Sequence, residues 1–268
     1  DYDIAAEKPY VPECQPLTGK KVAIIGAGPA GLSAAYYLLQ AGHACTVFDD
    51  REQPGGMLRY GVPEQALPRK VLDAEIHSIV RLGLELRPAT RVGRDIDIED
   101  LSREFDAVLV ASGEMSDETS GRLGLLMAAK GLQADRSTQM TATPGVFVAG
   151  SALSPSRHAV RAVSSGRAAA CAIAQYLSGE PISGTDRPYT VRMGRLNEQE
   201  MATFSAGTPA YDRLVPAGRE EIGFSDEEAR AEAQRCLHCE CRGLHDCKLR
   251  KWAMLYEASP TRYRGQRR

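Results

Sequence analysis

Apolar residues recur along the first two thirds of this chain in two patterns. Residues 22–25 (VAII), 45–48 (CTVF), 105–110 (FDAVLV) and 143–151 (TPGVFVAGS) contain short, nearly unbroken apolar runs. Runs of that kind predict strands buried on both faces of a parallel sheet. Between them the period changes to that of a helix. Residues 29–40 follow the first run, residues 68–82 space Val71, Leu72, Ile76, Ile79 and Val80 along one face, and residues 159–177 are dense in alanine. Strands alternating with helices predict an α/β fold with a doubly wound parallel sheet. Weaker signals predict short strands at 84–86 and 90–92, an acidic helix or turn at 95–104 and a short helix at 123–129.

The flanks are less regular. Residues 1–19 carry Pro9, Pro12 and Pro16 and are expected to form an arm or linker. Residues 20–178 make up the α/β domain, and 179–224 have no clear period and are expected to be an extended connection. The last segment, 225–268, is expected to be a small irregular or helical extension. It opens with Ser225 as helix N-cap and Asp226, Glu227 and Glu228 in the first turn.

The chemistry is concentrated at the ends of the predicted strands. The first runs into Gly26, Ala27, Gly28, Pro29, Ala30 and Gly31, a G-x-G-x-x-G between strand and helix. Gly26 permits the tight turn, Gly28 lets a pyrophosphate approach the backbone, and Gly31 lets the helix pack on the strand. The free amides and positive end of that helix then face the phosphates. Asp49, followed by Asp50, ends the second strand, where an acid can bind an adenosine ribose hydroxyl. Gly55 and Gly56, followed by Met57, Leu58 and Arg59, suggest backbone close to a ligand. Ala111, Ser112 and Gly113 place small residues at the end of a further strand, and Gly150 and Ser151 do so after the last. His77, inside a helix, is read as a packed or solvated histidine.

Composition narrows the class. Apolar content of 43% and charged content of 25% are those of an ordinary globular protein. A net charge of −2 gives no case for nucleic acid binding. No apolar run reaches the roughly 20 residues of a membrane-spanning helix, so no membrane insertion is expected. The chain opens at Asp1, which suggests a piece of a longer protein.

Four of the seven cysteines, Cys236, Cys239, Cys241 and Cys247, form C-x2-C-x-C-x5-C. That clustering points to ligation of a metal or cluster in a reducing, cytoplasmic compartment. Spacing alone leaves an iron–sulfur cluster and zinc open, with His238 and His245 as further zinc ligands. Cys45 and Cys171 are expected to be small buried hydrophobes. Lys248, Arg250, Lys251, Arg262, Arg264, Arg267 and Arg268 make the end of the chain basic, which serves either a solvated tail or a surface for an acidic partner.

Taken together, GAGPAGLSAAYYL, VFDDREQPGGMLRYGVPEQALPRKVLDAEI, RVGRDI, FDAVLVASG and TPGVFVAGS resemble the FAD-binding half of glutamate synthase small-subunit-type oxidoreductases. These are glutathione-reductase-like flavoproteins with two dinucleotide-binding domains, the FAD-binding one being Rossmann-like. The resemblance covers roughly residues 20–178. It implies that Gly26, Gly28, Pro29, Ala30 and Gly31 hold the FAD pyrophosphate and that Asp49 and Asp50 lie at the adenosine ribose. It further implies that Gly56, Met57, Leu58 and Arg59 line the cofactor and that Val92 meets the adenine through its backbone. Ser112 and Gly113 stand where the family has Thr-Gly, with Ala111 before them also at the cofactor. Gly150 and Ser151 stand where it usually has Gly-Asp, so the carboxylate for the ribityl chain is replaced by a hydroxyl. Ala159 and Val160 open the helix that faces the flavin's pyrimidine side.

The family inserts an NAD(P)H domain between the last two strands. Here only residues 114–144 separate them, too few for such a domain, and the chain has no second G-x-G-x-x-G. Pyridine nucleotide is therefore not expected to bind this chain directly. With a flavin in the chain, [4Fe–4S] is favoured over zinc at the cysteines, because a flavin can exchange electrons singly with a cluster. The expected function is an FAD-dependent electron-transfer module working with a redox partner or a larger oxidoreductase complex. No separate catalytic residues are expected. Two alternatives stand beside it: an NAD(P)H-dependent oxidoreductase that borrows its nucleotide site from a partner, and a non-catalytic scaffold with a zinc site.

Overall fold

The computed structural model describes residues 10–185, 197–207, 212–216, 223–235 and 248–256. The chain divides into two compact units, Asp1–Asp186 and Arg187–Arg268.

The first unit is built on five parallel strands: β1 (Lys21–Ile25), β2 (Ala44–Phe48), β3 (Glu85–Arg87), β4 (Ala107–Val110) and β7 (Val146–Val148), in the order β3-β2-β1-β4-β7. β1 pairs on one side with β2, Ile24 opposite Val47, and on the other with β4, Ile24 opposite Leu109. β4 pairs with β7 through Leu109 and Phe147. Successive strand side chains point to opposite faces, and both faces are covered. On one, Val22, Ile24, Leu109 and Phe147 pack with helices α1 (Pro29–Gln40), α3 (Arg69–Val80) and α6 (Ala159–Leu177), through Leu38, Ile76 and Ile173. On the other, Ala23, Ile25, Val108 and Val148 pack with Leu101 of α4 (Ile98–Glu104) and with Leu123 and Leu132. The unbroken apolar runs of the sequence follow from this double covering. The doubly wound parallel α/β class is the one observed.

α1 begins at Pro29, a position where the missing N–H is no loss. α6 lies against α1 through two close approaches. A Cβ on Gly166 would be driven into the Ala30 carbonyl, and the Ser33 hydroxyl donates to the Val163 carbonyl at 2.9 Å. The arm preceding β1 is tied down at residues 15–18. The Gln15 amide donates to Gln40 at 2.8 Å, the Thr18 amide donates to Gly42 at 2.9 Å, and Thr18 Oγ1 lies 2.7 Å from His43 Nδ1.

Several elements differ from the sequence expectations. Residues 90–92 form no strand: Ala89 at φ 51° turns the chain, the Thr90 amide donates to Asp49, and Val92 makes only an isolated bridge to Ile96. The helix expected at 123–129 lies earlier, as α5 (Asp117–Arg122). Ser116 caps it, its Oγ accepting from the Thr119 amide, and Gly124 at φ 63° turns the chain after it. Two-residue strands β5 (Met127–Ala128) and β6 (Gly131–Leu132) follow as a hairpin. Residues 57–60, for which no element is expected, contain a single helical turn, α2 (Met57–Tyr60). The last strand is confined to β7 and is followed by a 3-10 turn at Gly150–Ala152.

In the second unit, the segment expected to be an extended connection contains helix α7 (Glu198–Ser205). α8 (Asp226–Gln234) starts with a capping box, Ser225 Oγ accepting from the Glu228 amide while the Glu228 carboxylate accepts from the Ser225 amide. α9 (Lys248–Leu255) carries Trp252 stacked on Tyr256, with ring centroids 6.1 Å apart. The four clustered cysteines and the arginines at 262–268 lie outside the described residues.

Candidate nucleotide-binding cradle

All five strands are parallel, so the carboxyl ends of β1, β2, β4 and β7 lie at one edge of the sheet. β1 connects to β2 on one side, while β4 lies on its other side, which makes the β1–β4 boundary the crevice where open α/β sheets bind ligands. Gly26 leaves β1 at φ 107°, and a Cβ there would stand 2.6 Å from the Ala111 carbonyl oxygen at the end of β4. A Cβ on Gly31 would enter the Gly26 carbonyl, so glycine is required for α1 to sit this close to the turn. Gly28 is different. The nearest heavy atom to a Cβ placed there is the Gly56 Cα, 4.0 Å away. Packing of the protein therefore does not require glycine at this position, and the space beside Gly28 is open to a ligand.

The remaining walls converge on this turn. The Ala27 amide donates to Asp49 Oδ2 at 2.5 Å, and the Gly55 amide donates to the Ala27 carbonyl at 2.8 Å. Gly56, at φ 50°, approaches so closely that a Cβ would lie 2.8 Å from the Gly28 Cα. Gly150, at φ 65°, leaves only 2.7 Å between its own Cβ position and the Ala30 Cβ. α1 has Gly28 as N-cap, no side-chain cap and no acid in its first turn. Its first amides and the positive end of the helix are thus available to an anion. The cradle fits a pyrophosphate. Asp49 retains lone pairs for a ribose hydroxyl, even with Oδ1 accepting from the Arg51 amide at 2.8 Å.

The structure brings Gly26, Gly28, Pro29, Ala30, Gly31, Asp49, Gly56, Ala111 and Gly150 together. Asp50 and Ser112 are exposed beside them, and Gly113 at φ 86° has open space around it. Ser151 is half-buried, its hydroxyl donating to the Ser156 carbonyl at 3.3 Å. Ala159 and Val160 lie exposed at the uncapped start of α6. Met57 is exposed and Leu58 packs against the core. The guanidinium of Arg59 is buried and engaged with the Pro54 carbonyl at 2.6 Å and with Asp73, so that residue braces the 54–59 segment. The Val92 side chain packs in the second core cluster.

Three residues around the cradle were not singled out in the sequence: Gln139, Ser165 and Gly166. A glycine within an alanine-rich helix was the available signal for Gly166, since a mid-helix glycine usually has a packing reason. Gln139 and Ser165 depend on contacts distant in sequence.

The profile of the NAD(P)-binding Rossmann-like domain matches residues 24–83, from β1 to the loop after α3. Fold, glycine turn and profile together define a Rossmann-like unit. Over this N-terminal region the chain is homologous to glutamate synthase small chains and related oxidoreductase beta subunits, in line with the resemblance seen in its motifs. It is 48% identical over 107 residues to the NADP(+)-dependent formate dehydrogenase subunit beta of Moorella thermoacetica, covering 40% of this chain and 15% of that protein. Identity to the glutamate synthase [NADPH] small chain of Mycobacterium tuberculosis is 47% over 97 residues, 36% of this chain and 20% of the other. The NADPH-Fe(3+) oxidoreductase subunit beta of Geobacter sulfurreducens is 41% identical over 109 residues, 40% and 16% respectively. The matched region thus spans a fifth or less of these three relatives.

Between β4 and β7 the chain forms α5 and the β5–β6 hairpin, with no nucleotide-binding unit there. No described helix is long and apolar enough to cross a membrane. Among the described residues no three His, Cys, Asp or Glu side chains are grouped to hold a metal.

Proposed function

We propose that this chain is a flavin-carrying oxidoreductase module that holds FAD in the 26–31 cradle and passes electrons to a redox partner or larger complex. The observation that carries this reading is the open approach at Gly28, flanked by Gly56, the Asp49 carboxylate and the uncapped start of α1. The α1 amides would hold the pyrophosphate, Asp49 the adenosine ribose, and the Gly150–Ser151 turn would border the ribityl chain. When bound, FAD would supply exchange of electrons in pairs or singly; the residues of the chain bind and orient it. The motif resemblance supports FAD, and the names of the relatives, each a subunit or chain of an oxidoreductase, support a role within an assembly.

Cys236, Cys239, Cys241 and Cys247 would ligate a [4Fe–4S] cluster as the one-electron partner. Lys248, Arg250 and Lys251 follow at once in the sequence, where positive charge would offset a cluster held by four thiolates. Charge near a cluster is one of the terms that sets its potential.

A second reading is favoured by the description of the matching profile: NAD(P) in the same cradle. One set of measurements separates the two. The expected result is FAD in the extract of the folded protein, four irons per chain after anaerobic purification, and flavin that remains oxidised on anaerobic mixing with excess NADPH or NADH. Extraction of NAD(P) alone would replace the FAD reading with the second one. Fast stoichiometric reduction by NAD(P)H would overturn the absence of a pyridine nucleotide site. One zinc per chain, with no iron after reconstitution, would overturn the relay to the cysteines.

A further inference from the structure

Gln139 sits in the left-handed region, at φ 57°, a conformation uncommon for a residue with a side chain. It is 5% exposed. Its amide nitrogen donates to the Val148 carbonyl at 3.3 Å and to Ser165 Oγ at 3.0 Å, while its Oε1 is a buried acceptor without a partner among the described residues. A strained backbone and an orphaned acceptor both count against the folded state, and such features persist where the surroundings fix them, often beside functional sites. What they hold here is the second glycine turn. Ser165 Oγ, which receives the Gln139 amide, also accepts from the Gly150 amide at 2.9 Å. In addition, the Gln139 carbonyl accepts from the Val148 amide at 2.8 Å.

Gly150 is also the residue at which a Cβ would stand 2.7 Å from the Ala30 Cβ, in the first turn of α1. The chain of contacts therefore runs from Gln139 to Ser165 on α6, then to the Gly150 amide, and so to the helix end that faces the pyrophosphate. We infer that Gln139 and Ser165 are positioning residues for the cofactor. By turning the Gly150 amide inward, they fix which face the 150–151 turn offers to the ribityl and phosphate groups. This rests on the reading of the cradle as an FAD site. Among the described residues Ser165 Oγ has both lone pairs engaged and makes no hydrogen bond to the carbonyl one turn earlier in α6. Its hydroxyl hydrogen is left as a donor beside the turn.

The test uses the full chain, wild type, Ser165→Ala, Ser165→Thr and Gln139→Leu. Hydrogen exchange of the Gly150 amide is followed by NMR without cofactor, and FAD dissociation constants are measured by fluorescence quenching. The expected result for Ser165→Ala is exchange at Gly150 about tenfold faster and FAD binding about tenfold weaker, the effect of one ordinary hydrogen bond. Circular dichroism of bound flavin should change, and Ser165→Thr should restore both readouts. Gln139→Leu should follow Ser165→Ala; if it fails to fold, the serine pair still decides. Wild-type values for both readouts in Ser165→Ala would overturn the inference. Absence of FAD binding by the wild type would overturn the functional reading, and the Gly150 exchange rate would then decide the positioning of the turn by itself.

Discussion

The Asp49 carboxylate accepts a hydrogen bond from the Ala27 amide at 2.5 Å, tying the end of β2 to the glycine turn that ends β1. One side chain thus braces the cradle and stands where a ribose hydroxyl would bind. Asp49→Ala is expected to lower unfolding free energy by about 1–3 kcal/mol, the range for hydrogen bonds to charged groups and the amides they leave unpaired. It should also weaken nucleotide binding by more than that loss of stability explains. Chemical denaturation paired with titration of the nucleotide checks both, and unchanged affinity would remove Asp49 from the site.

Gly28 and Gly31 are three residues apart and should respond in opposite ways. Gly28→Val places its side chain in open space, so stability should change by less than about 1 kcal/mol while nucleotide binding is abolished. Gly31→Ala forces a methyl into the Gly26 carbonyl and should cost about 1–3 kcal/mol or more. Melting curves and cofactor content of the two variants separate a ligand path from a packing contact. A Gly28→Val protein that still binds the nucleotide would contradict the cradle.

How much of this was legible beforehand depends on how local each signal is. The β1–α1–β2 unit lies in one continuous stretch, and its glycines, apolar runs and terminal acid are all within sequence reach of one another. The role of Gly166 is not, because its reason is the Ala30 carbonyl on another helix. Gln139 is hidden for the same cause, its partners being Val148 and Ser165. The apolar spacing at 123–129 suggested a helix, but Leu123, Leu125 and Met127 pack into the core from turns and a short strand. The local signal for the helix is Ser116 followed by Asp117 and Glu118, an N-cap with acids in the first turn. The resemblance implies that Arg59 lines the cofactor; its pairing with Asp73 depends on the three-dimensional path of residues 54–73 and has no local signal in the sequence.

His43 should give the stability of the first unit a pH dependence. It is buried and lies 2.7 Å from Thr18 Oγ1, and burial draws its pKa below the ordinary histidine value although Asp106 pulls the other way. The unfolded chain takes up a proton near pH 6.5, whereas the folded chain does so only at lower pH. Between those values the unfolded state holds more protons, so this contribution is fully present above about pH 6.5 and is lost as pH falls toward the folded value. Its slope is bounded by about 1.4 kcal/mol per pH unit, the limit for one proton. Urea unfolding from pH 7.5 to 5 should show this decline in the wild type and a flatter profile in His43→Gln. Equal slopes would assign the dependence to other groups.

Thiol chemistry should divide Cys14 from Cys45. Burial pushes the Cys45 thiol up to about 12, whereas Cys14 is exposed. Alkylation of the native protein at pH 8 should modify Cys14 and leave Cys45 intact until denaturant is added, because the thiolate is the reacting form. Peptide mapping by mass spectrometry reads the outcome, and early labelling of Cys45 would show that β2 opens.

The path between β4 and β7 gives the sheet a property of its own. Two neighbouring parallel strands must be joined by a crossover, and the sheet requires only that Val108, Leu109 and Val110 meet Val146, Phe147 and Val148 in register. What fills the excursion is left open, and lengthening a loop adds to its closure entropy only slowly. This is therefore a natural port, a place where a whole folded module could be gained or shed while the sheet on either side keeps its pairing. In this chain the port is closed by one short helix and a hairpin.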